Sequence, residues 1–456
     1  MRRAALLPTF VLCASAALGQ DPPAPAPTPP PAAETTLRIT VEEAVSRAIA
    51  ASARLSRLSA LEAAAAADTK SARSERWPQL SVDAGYQRRS EVPELAIFTP
   101  TGDPLAPVER VVVFPNIQDN WRLHAGLTMP LFTFGRVGAG IERAAQSQAA
   151  AALDVGAGRA DLVLETRTAY WSLVTARANA GVLQDAIRSY EAHIKDARNR
   201  ESFGLAARSE VLAVEVERDR AELDRLRADA DAQVAEANLQ RLLDLPSATH
   251  VETVEPAAET APPPLEIESL VAAAQGARPE RKALVARVAA ADAATRSEHG
   301  ARLPQLALSG NYNYLNPNRD IVPPTAEWKD TWDLALGVSW SVFDGGRRSA
   351  SEAHAKAQAD AAREQLSDLD RSIRLEVTQQ ALGLRTAAAR LRVAERAVVS
   401  AAESRRVASE RYHAGVIPSS ELTDAEVAHE RASLNQTEAR AALRLAAAGL
   451  ERAVGR

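Results

Sequence analysis

The stretch Trp121-Arg122-Leu123-His124-Ala125-Gly126-Leu127-Thr128-Met129-Pro130-Leu131 decides the fold. Trp121, Leu123, Ala125, Leu127, Met129 and Leu131 fall on one face of a period-2 chain, and Arg122, His124, Gly126 and Thr128 on the other. Alternation over about ten residues marks a β-strand with one apolar and one polar face. A second stretch does the same, with Trp332, Leu334, Leu336, Val338, Trp340 and Val342 against Asp333, Ala335, Gly337, Ser339 and Ser341. A weaker strand precedes each: Leu80, Val82, Ala84 and Tyr86 before the first, and Leu306, Leu308, Gly310, Tyr312 and Tyr314 before the second.

These strand pairs sit in two copies of one pattern. Trp77-Pro78-Gln79-Leu80 recurs as Leu303-Pro304-Gln305-Leu306, and in the same register Val41, Val45 and Leu58 map onto Ile267, Val271 and Leu284. One indel between Tyr86 and Trp121 shifts the register. Beyond it Trp121 maps to Trp332, Gly135-Arg136 to Gly346-Arg347, Gly204 to Gly415, Ser209-Glu210 to Ser420-Glu421 and Glu215 to Glu426. Self-similarity of this kind reads as duplication. Each copy reads helix, strand, loop, strand, long helix, turn, helix. The expected organisation is a signal peptide over 1–19, a Pro/Ala-rich linker over 20–36, a first repeat over 37–246, a linker over 247–264, and a second repeat with a short tail over 265–456. The loops Arg88 to Asp119 and Asn316 to Asp330 are Pro-rich and polar, as solvent-exposed crossings are.

The helices are unusually long. No Pro interrupts Val137 to about Arg200, or Arg347 to about Tyr412. A helix of about 65 residues spans about 100 Å, too long to bury its stripe inside one compact domain. Val377, Leu384, Leu391 and Val398 recur every seven residues, as do Leu173, Ala180 and Ile187, which is a coiled-coil-like seam. Arg and Glu fill the outer positions as a solvated face.

Composition narrows the classes of function. The 456-residue chain has 54 Lys+Arg against 59 Asp+Glu, a net charge of −5, so no basic excess awaits a nucleic acid. One cysteine, Cys13, excludes a disulfide framework, and the seven histidines form no metal motif. No metal site, cofactor or catalytic constellation is expected. Met1-Arg2-Arg3, an apolar run from Leu6 to Leu18 and the small residues Ala17 and Gly19 form a secretory signal. Past it no apolar run reaches the 18 residues of a spanning helix, so a membrane crossing would have to be a β-barrel. Phe, Trp and Tyr concentrate in 77–134 and 312–343, which suits strand ends at a membrane interface or, alternatively, packing against a soluble core. Four strands cannot close a barrel alone, and open edges are not tolerated in lipid, so a spanning barrel needs several chains.

At this point the chain resembles the outer membrane efflux protein family, the TolC-like channel-tunnels. The likeness rests on the repeat, on Leu303-Pro304-Gln305-Leu306 leading into a strand, on Phe343-Asp344-Gly345-Gly346-Arg347 at a strand-to-helix return, and on Gly415-Val416-Ile417-Pro418 followed by Glu421-Leu422-Thr423-Asp424. It implies a mainly α protein with a membrane β-barrel contribution. Long helices would form a periplasmic α-barrel, and a homotrimer would give four strands per protomer to a 12-stranded barrel. It also implies passage rather than chemistry, and not an enzyme: an outer-membrane exit duct for efflux, contacting outer-membrane lipid. A periplasmic adaptor (membrane fusion protein) and, through it, an inner-membrane pump would be the partners.

Residue by residue, the resemblance points to docking tips at Phe203, Gly204, Leu205 and Ala206 and at Gly415, Val416, Ile417 and Pro418. Gly204 and Gly415 also read independently as helix C-caps. Tyr412 matches an aromatic gate position. Glu421 and Asp424, three apart at a helix start, match a paired acidic ring, although the helix dipole alone would favour them there. Glu210 is the copy-one counterpart of Glu421, but Ala213 stands where the second acid would be. A basic residue that ties the closed gate in that family corresponds here to Ile417, so a gate held by packing and hydrogen bonding is expected. Gly135, Gly345 and Gly346 suit sharp strand-to-helix bends, and Pro78 and Pro304 the helix-to-strand transitions. A competing reading, a soluble periplasmic coiled-coil adaptor or scaffold, shares the helical hairpins and differs over the four strands and the whole-chain repeat.

Overall fold

A computed structural model describes residues 35–100, 102, 105, 108–254 and 266–456; the expected signal peptide and most of the first linker lie outside these. The elements run β1 (Thr35–Ile39), α1 (Val41–Ala51), α2 (Ala53–Ser74), β2 (Gln79–Arg88), β3 (Leu95–Pro100), β4 (Val108–Phe114), β5 (Asp119–Phe132), α3 (Arg136–Ser202) and α4 (Arg208–Leu243). The second half follows with β6 (Thr249–Thr253), α5 (Ile267–Ala277), α6 (Pro279–Ala301), β7 (Gln305–Asn316), β8 (Lys329–Ser339), α7 (Arg347–His413) and α8 (Ser419–Val454). The paired helices match in length: α3 and α7 each have 67 residues, and α4 and α8 each have 36; the first half alone carries the extra pair β3 and β4.

Strands β2, β5, β7 and β8 form one antiparallel sheet in the order β2-β5-β7-β8. The period-2 pattern becomes two faces. On the polar face Asp83 lies opposite His124 and His124 opposite Asn313, with His124 Nδ1 2.9 Å from Asn313 Oδ1. Beside them the Asn311 amide donates to Asp333 at 3.0 Å. On the apolar face Leu80, Val82, Trp332, Leu334, Leu336 and Val338 are all exposed. Strands β2 and β8 are edges, each with one neighbour.

At one end of each rod of about 100 Å lies this sheet, and at the other a hairpin turn. Helix α3 packs with α2 toward the sheet and α4 toward the turn, and α7 packs with α6 and α8 in the same way. The seam is apolar: Leu173, Ile187, Val377, Leu384 and Leu391 are buried. The change from strand to helix is made by Gly135, Gly345 and Gly346, whose φ angles of 84°, 69° and 87° favour glycine. The Asp344 carboxylate accepts from the backbone N–H of Gly346 and Arg348 and starts α7. Pro78 and Pro304 each stand one residue before a strand. Gly300 is required for a different reason: a Cβ there would meet Arg136 N at 2.8 Å, where α6 crosses the β5–α3 turn.

Several features differ from the sequence expectation, among them that β8 ends at Ser339 and leaves Trp340 and Val342 outside it. The stretch 247–264, expected as a linker, contains β6, which pairs in parallel with β1, and β1 itself begins inside the expected first linker. Tyr170 fastens this small sheet to α3 by donating to the carbonyls of Ile39 and Val254 at 3.1 and 2.8 Å. The loop expected over Arg88 to Asp119 contains the antiparallel pair β3–β4. The single helix expected before β2 is broken at Ser52, whose hydroxyl accepts from Leu55 N and caps α2. No described helix is long and apolar enough to cross a membrane.

Candidate gate at the hairpin tips

The two turns are made by one backbone device. Leu205 N bonds to Arg200 O and Gly204 N to Glu201 O; Val416 N bonds to Arg411 O and Gly415 N to Tyr412 O. Each turn is the paired arrangement in which a left-handed residue satisfies the last helical carbonyls, and Gly204 and Gly415 have φ of 72° and 73°. Phe203, Leu205 and Val416 point their apolar side chains to solvent at 79%, 77% and 64% exposure, Ala206 is half-buried and Pro418 exposed. Ile417 does not join them. It is buried with Tyr412 and Leu422.

Tyr412 is the centre of the second tip. Its ring is 2% exposed, the Arg200 guanidinium lies 4.3 Å from its centroid, and the His193 ring meets it edge-on at 5.1 Å. Arg200 also donates to the carbonyls of Tyr412 and His413 at 2.6 and 3.0 Å, so one α3 side chain holds the end of α7. Burial raises the Tyr412 phenol above its ordinary range; Arg200 and the Ser419 hydroxyl oppose this, and Glu210 and Asp196 add to it.

Behind Tyr412 lies a buried polar chain. His193 Nδ1 is 2.9 Å from Glu426 Oε2, and its Nε2 is 2.9 Å from the Ser419 hydroxyl. Ser189 donates to the other Glu426 oxygen at 2.8 Å. One turn further on, Tyr190 donates to Glu430 at 3.0 Å. Burial raises both Tyr190 and Glu430, the phenol also feeling the Glu430 charge. At the rim His413 Nδ1 donates to Ser409 O at 2.6 Å while Nε2 faces Asp196 at 2.9 Å. Both ring nitrogens meet acceptors, which only the imidazolium satisfies, and its pKa is raised by the Ser409 carbonyl and then by Asp196. Every one of these bonds joins α3 to the α7–α8 tip or closes that tip on itself.

Glu421 and Asp424 share the opposite face of α8. Both are exposed, and no described cation pairs with either. Glu210 is half-buried near Tyr412. The network of His193, Ser419, Glu426, Tyr190 and Glu430 was not singled out from the sequence. The one usable signal was spacing: Leu183, Ile187, Tyr190, Ile194 and Ala197 form the buried stripe of α3, and His193 falls within it.

A long-helix hairpin pair that ends in a four-stranded, two-faced sheet is the architecture of an outer-membrane channel protomer. The chain belongs to the outer membrane efflux protein family, whose pattern it matches over residues 44–244 and 270–456. Solved structures share its fold. The outer membrane protein VceC of Vibrio cholerae is 18% identical with a TM-score of 0.77, covering 91% of this chain and 96% of its own. The outer-membrane channel OprN is 20% identical at 0.76, covering 91% and 89%. The CmeC outer membrane channel of Campylobacter jejuni is 16% identical at 0.75, covering 91% and 85%. No curated protein sequence matches the chain. Family membership makes the protein an outer-membrane efflux duct, a conduit, and sets aside the soluble adaptor reading.

Proposed function

We propose that three copies close the sheet of this chain into a twelve-stranded barrel, with their helices forming a periplasmic tunnel below it. The single observation that carries this is the sheet itself, whose edges β2 and β8 are open while its apolar face is exposed. Unpaired edges cannot stand in lipid, so strands from other copies must complete them. Two copies would give eight strands, a number whose interior side chains fill; a lumen needs more, and three copies supply twelve. The two matched halves act as structural repeats, each giving two strands and one tunnel wall. The same trimer would cover the helix faces left open in one chain.

In this reading small molecules pass through the duct from a periplasmic adaptor, which the exposed Phe203, Leu205 and Val416 receive at the tips, and an inner-membrane pump drives the adaptor. Tyr412 and the buried chain behind it hold the resting gate, and Glu421 and Asp424 give the entrance its preference for cations. Negative-stain electron microscopy of the detergent-purified protein tests the assembly. Hollow cylinders with three-fold end views are expected. Monomeric or dimeric rods without a closed end view would overturn it.

A further inference from the structure

The far end of the sheet, remote from the gate, carries a group of charges that the duct reading does not use. Where β2, β5 and β7 end, an open recess of about 490 Å³ is lined by Arg89, Arg122 and Arg319 together with Gln87, Asn120 and Asp320. Gln87, Asn120 and Arg122 belong to the polar face, which is the lumen side of a closed barrel. The Arg122 guanidinium lies toward β2 over Gly85, where a Cβ would be 3.8 Å from Nη2. Arg319 is anchored by neutral groups, donating to Asn120 Oδ1 at 3.1 Å and to the Ile117 carbonyl at 3.4 Å.

None of the three arginines has a carboxylate partner among the described residues. Asp320 is the one acid on the recess, and it accepts from Thr331 instead, at 3.2 Å. The contrast with the helices is sharp: there arginines pair repeatedly with carboxylates, as in Arg281–Asp370 and Arg452–Asp161. The crowding also has a cost. Burial and the Arg89 charge lower the Arg319 pKa. Three planar guanidiniums facing one recess, stabilised by no fixed anion, present the forked donors that a phosphate or other multiply charged oxyanion takes up.

We infer that the outer mouth of the lumen holds an oxyanion-binding site built from Arg89, Arg122 and Arg319, for a phosphate-type group on a solute leaving the duct. The inference rests on the barrel reading only for which side the recess faces. The test separates the two. Inorganic pyrophosphate is titrated calorimetrically into the full-length protein in detergent. Binding is expected, about tenfold weaker for each Arg→Gln change and weakened by less in Arg122→Lys, which keeps the charge and loses the fork. Pyrophosphate that fails to bind, or binds the R89Q/R122Q/R319Q variant equally well, overturns the site. The single variants, each at an exposed side chain, carry the same test if the triple variant does not fold. In a planar bilayer, pyrophosphate added on the loop side should reduce the wild-type current. Pyrophosphate binding without current reduction, or its displacement by a phosphorylated lipid, overturns the lumenal placement. A protein that binds pyrophosphate but forms no channel counts against the duct reading and leaves the site standing.

Discussion

The two hairpin tips share a turn and differ in what lies against it. Both close through the same pair of carbonyl bonds and the same left-handed glycine. In the first tip, Arg208 and Ser209 just past the turn face solvent, and Glu215 pairs at 2.5 Å with Arg198, whose side chain is 60% exposed. In the second tip, Glu426, at the matching position, is 7% exposed and bonded to His193 and Ser189 of α3. Arg208 stands where the second half has the buried Ser419, and Glu201 where it has Tyr412. Backbone geometry alone therefore does not decide what a tip does. The burial of a few polar groups just beyond the turn does, because a buried polar group left without its partner is costly and an exposed one is not.

The largest expected effect breaks that difference. Glu426→Ala leaves His193 and Ser189 without their buried acceptor and should cost about 3 kcal/mol of local stability. Amide hydrogen exchange at the start of α8 should then accelerate by roughly two orders of magnitude. Glu215→Ala should change exchange in α4 by less than about 1 kcal/mol, since its partner is solvated. Equal effects at the two sites would mean that the second tip is no more latched than the first. The next effect sharpens the comparison from the other side. Gly204→Ala and Gly415→Ala each force an L side chain into the left-handed region, at about 1 kcal/mol. No atom stands within 4 Å of the place either new Cβ would take, so the cost is backbone strain alone and should be the same in both. Thermal unfolding of the two variants reads this directly.

Much of this frame is legible in the sequence. Period-2 alternation located β2, β5, β7 and β8, and the absence of proline located α3 and α7, because both signals are repeated many times along one element. The parts that escaped are short or nonlocal. β1 and β6 have five residues each and find each other across more than two hundred positions. β3 and β4 lie in a Pro-rich stretch, marked locally only by the short apolar runs Leu95-Ala96-Ile97-Phe98 and Val111-Val112-Val113. Ser52 breaks a helix without glycine or proline, by capping alone. At the second tip, the turn glycine Gly415 reads from the sequence as a helix C-cap, whereas His193 on α3 and Ser419 and Glu426 on α8 are isolated polar residues far apart in sequence. Only packing brings them together.

The rim of the latch should respond to pH. His413 has a raised pKa, so its contribution is fully present below the ordinary histidine value of about 6.5 and is lost as pH rises through the higher folded value. His429, further along α8, works in the opposite sense: burial and Arg405 lower its pKa, so its protonation at falling pH weakens the tip. The two overlap in wild type, and a difference measurement separates them. The stability difference between wild type and His413→Gln should be greatest below pH about 6.5 and vanish in mild alkali. It should stay under about 1 kcal/mol, because the ring and Asp196 are solvated. Asp196→Asn should abolish most of the same difference. A gap that widens with rising pH would assign the wrong sign to this contact.

The smallest effect on stability is expected where the proposed selectivity is greatest. Glu421 and Asp424 are exposed and unpaired by any described cation, so replacing both with alanine should change unfolding by no more than about 0.5 kcal/mol. If three copies surround one entrance, however, each exposed carboxylate acts on the same column of ions, and its charge is repeated around the axis. Single-channel recording of the E421A/D424A variant should then show a weaker cation preference and weaker block by divalent cations. Glu210→Ala should do less, because the first half has Ala213 where a second acid would stand and Glu210 is half-buried beside Tyr412. An unchanged cation preference in the double variant would leave the second tip as a latch without a charge filter. A large effect from Glu210 alone would erase the asymmetry between the tips at the one place where it bears on what passes through.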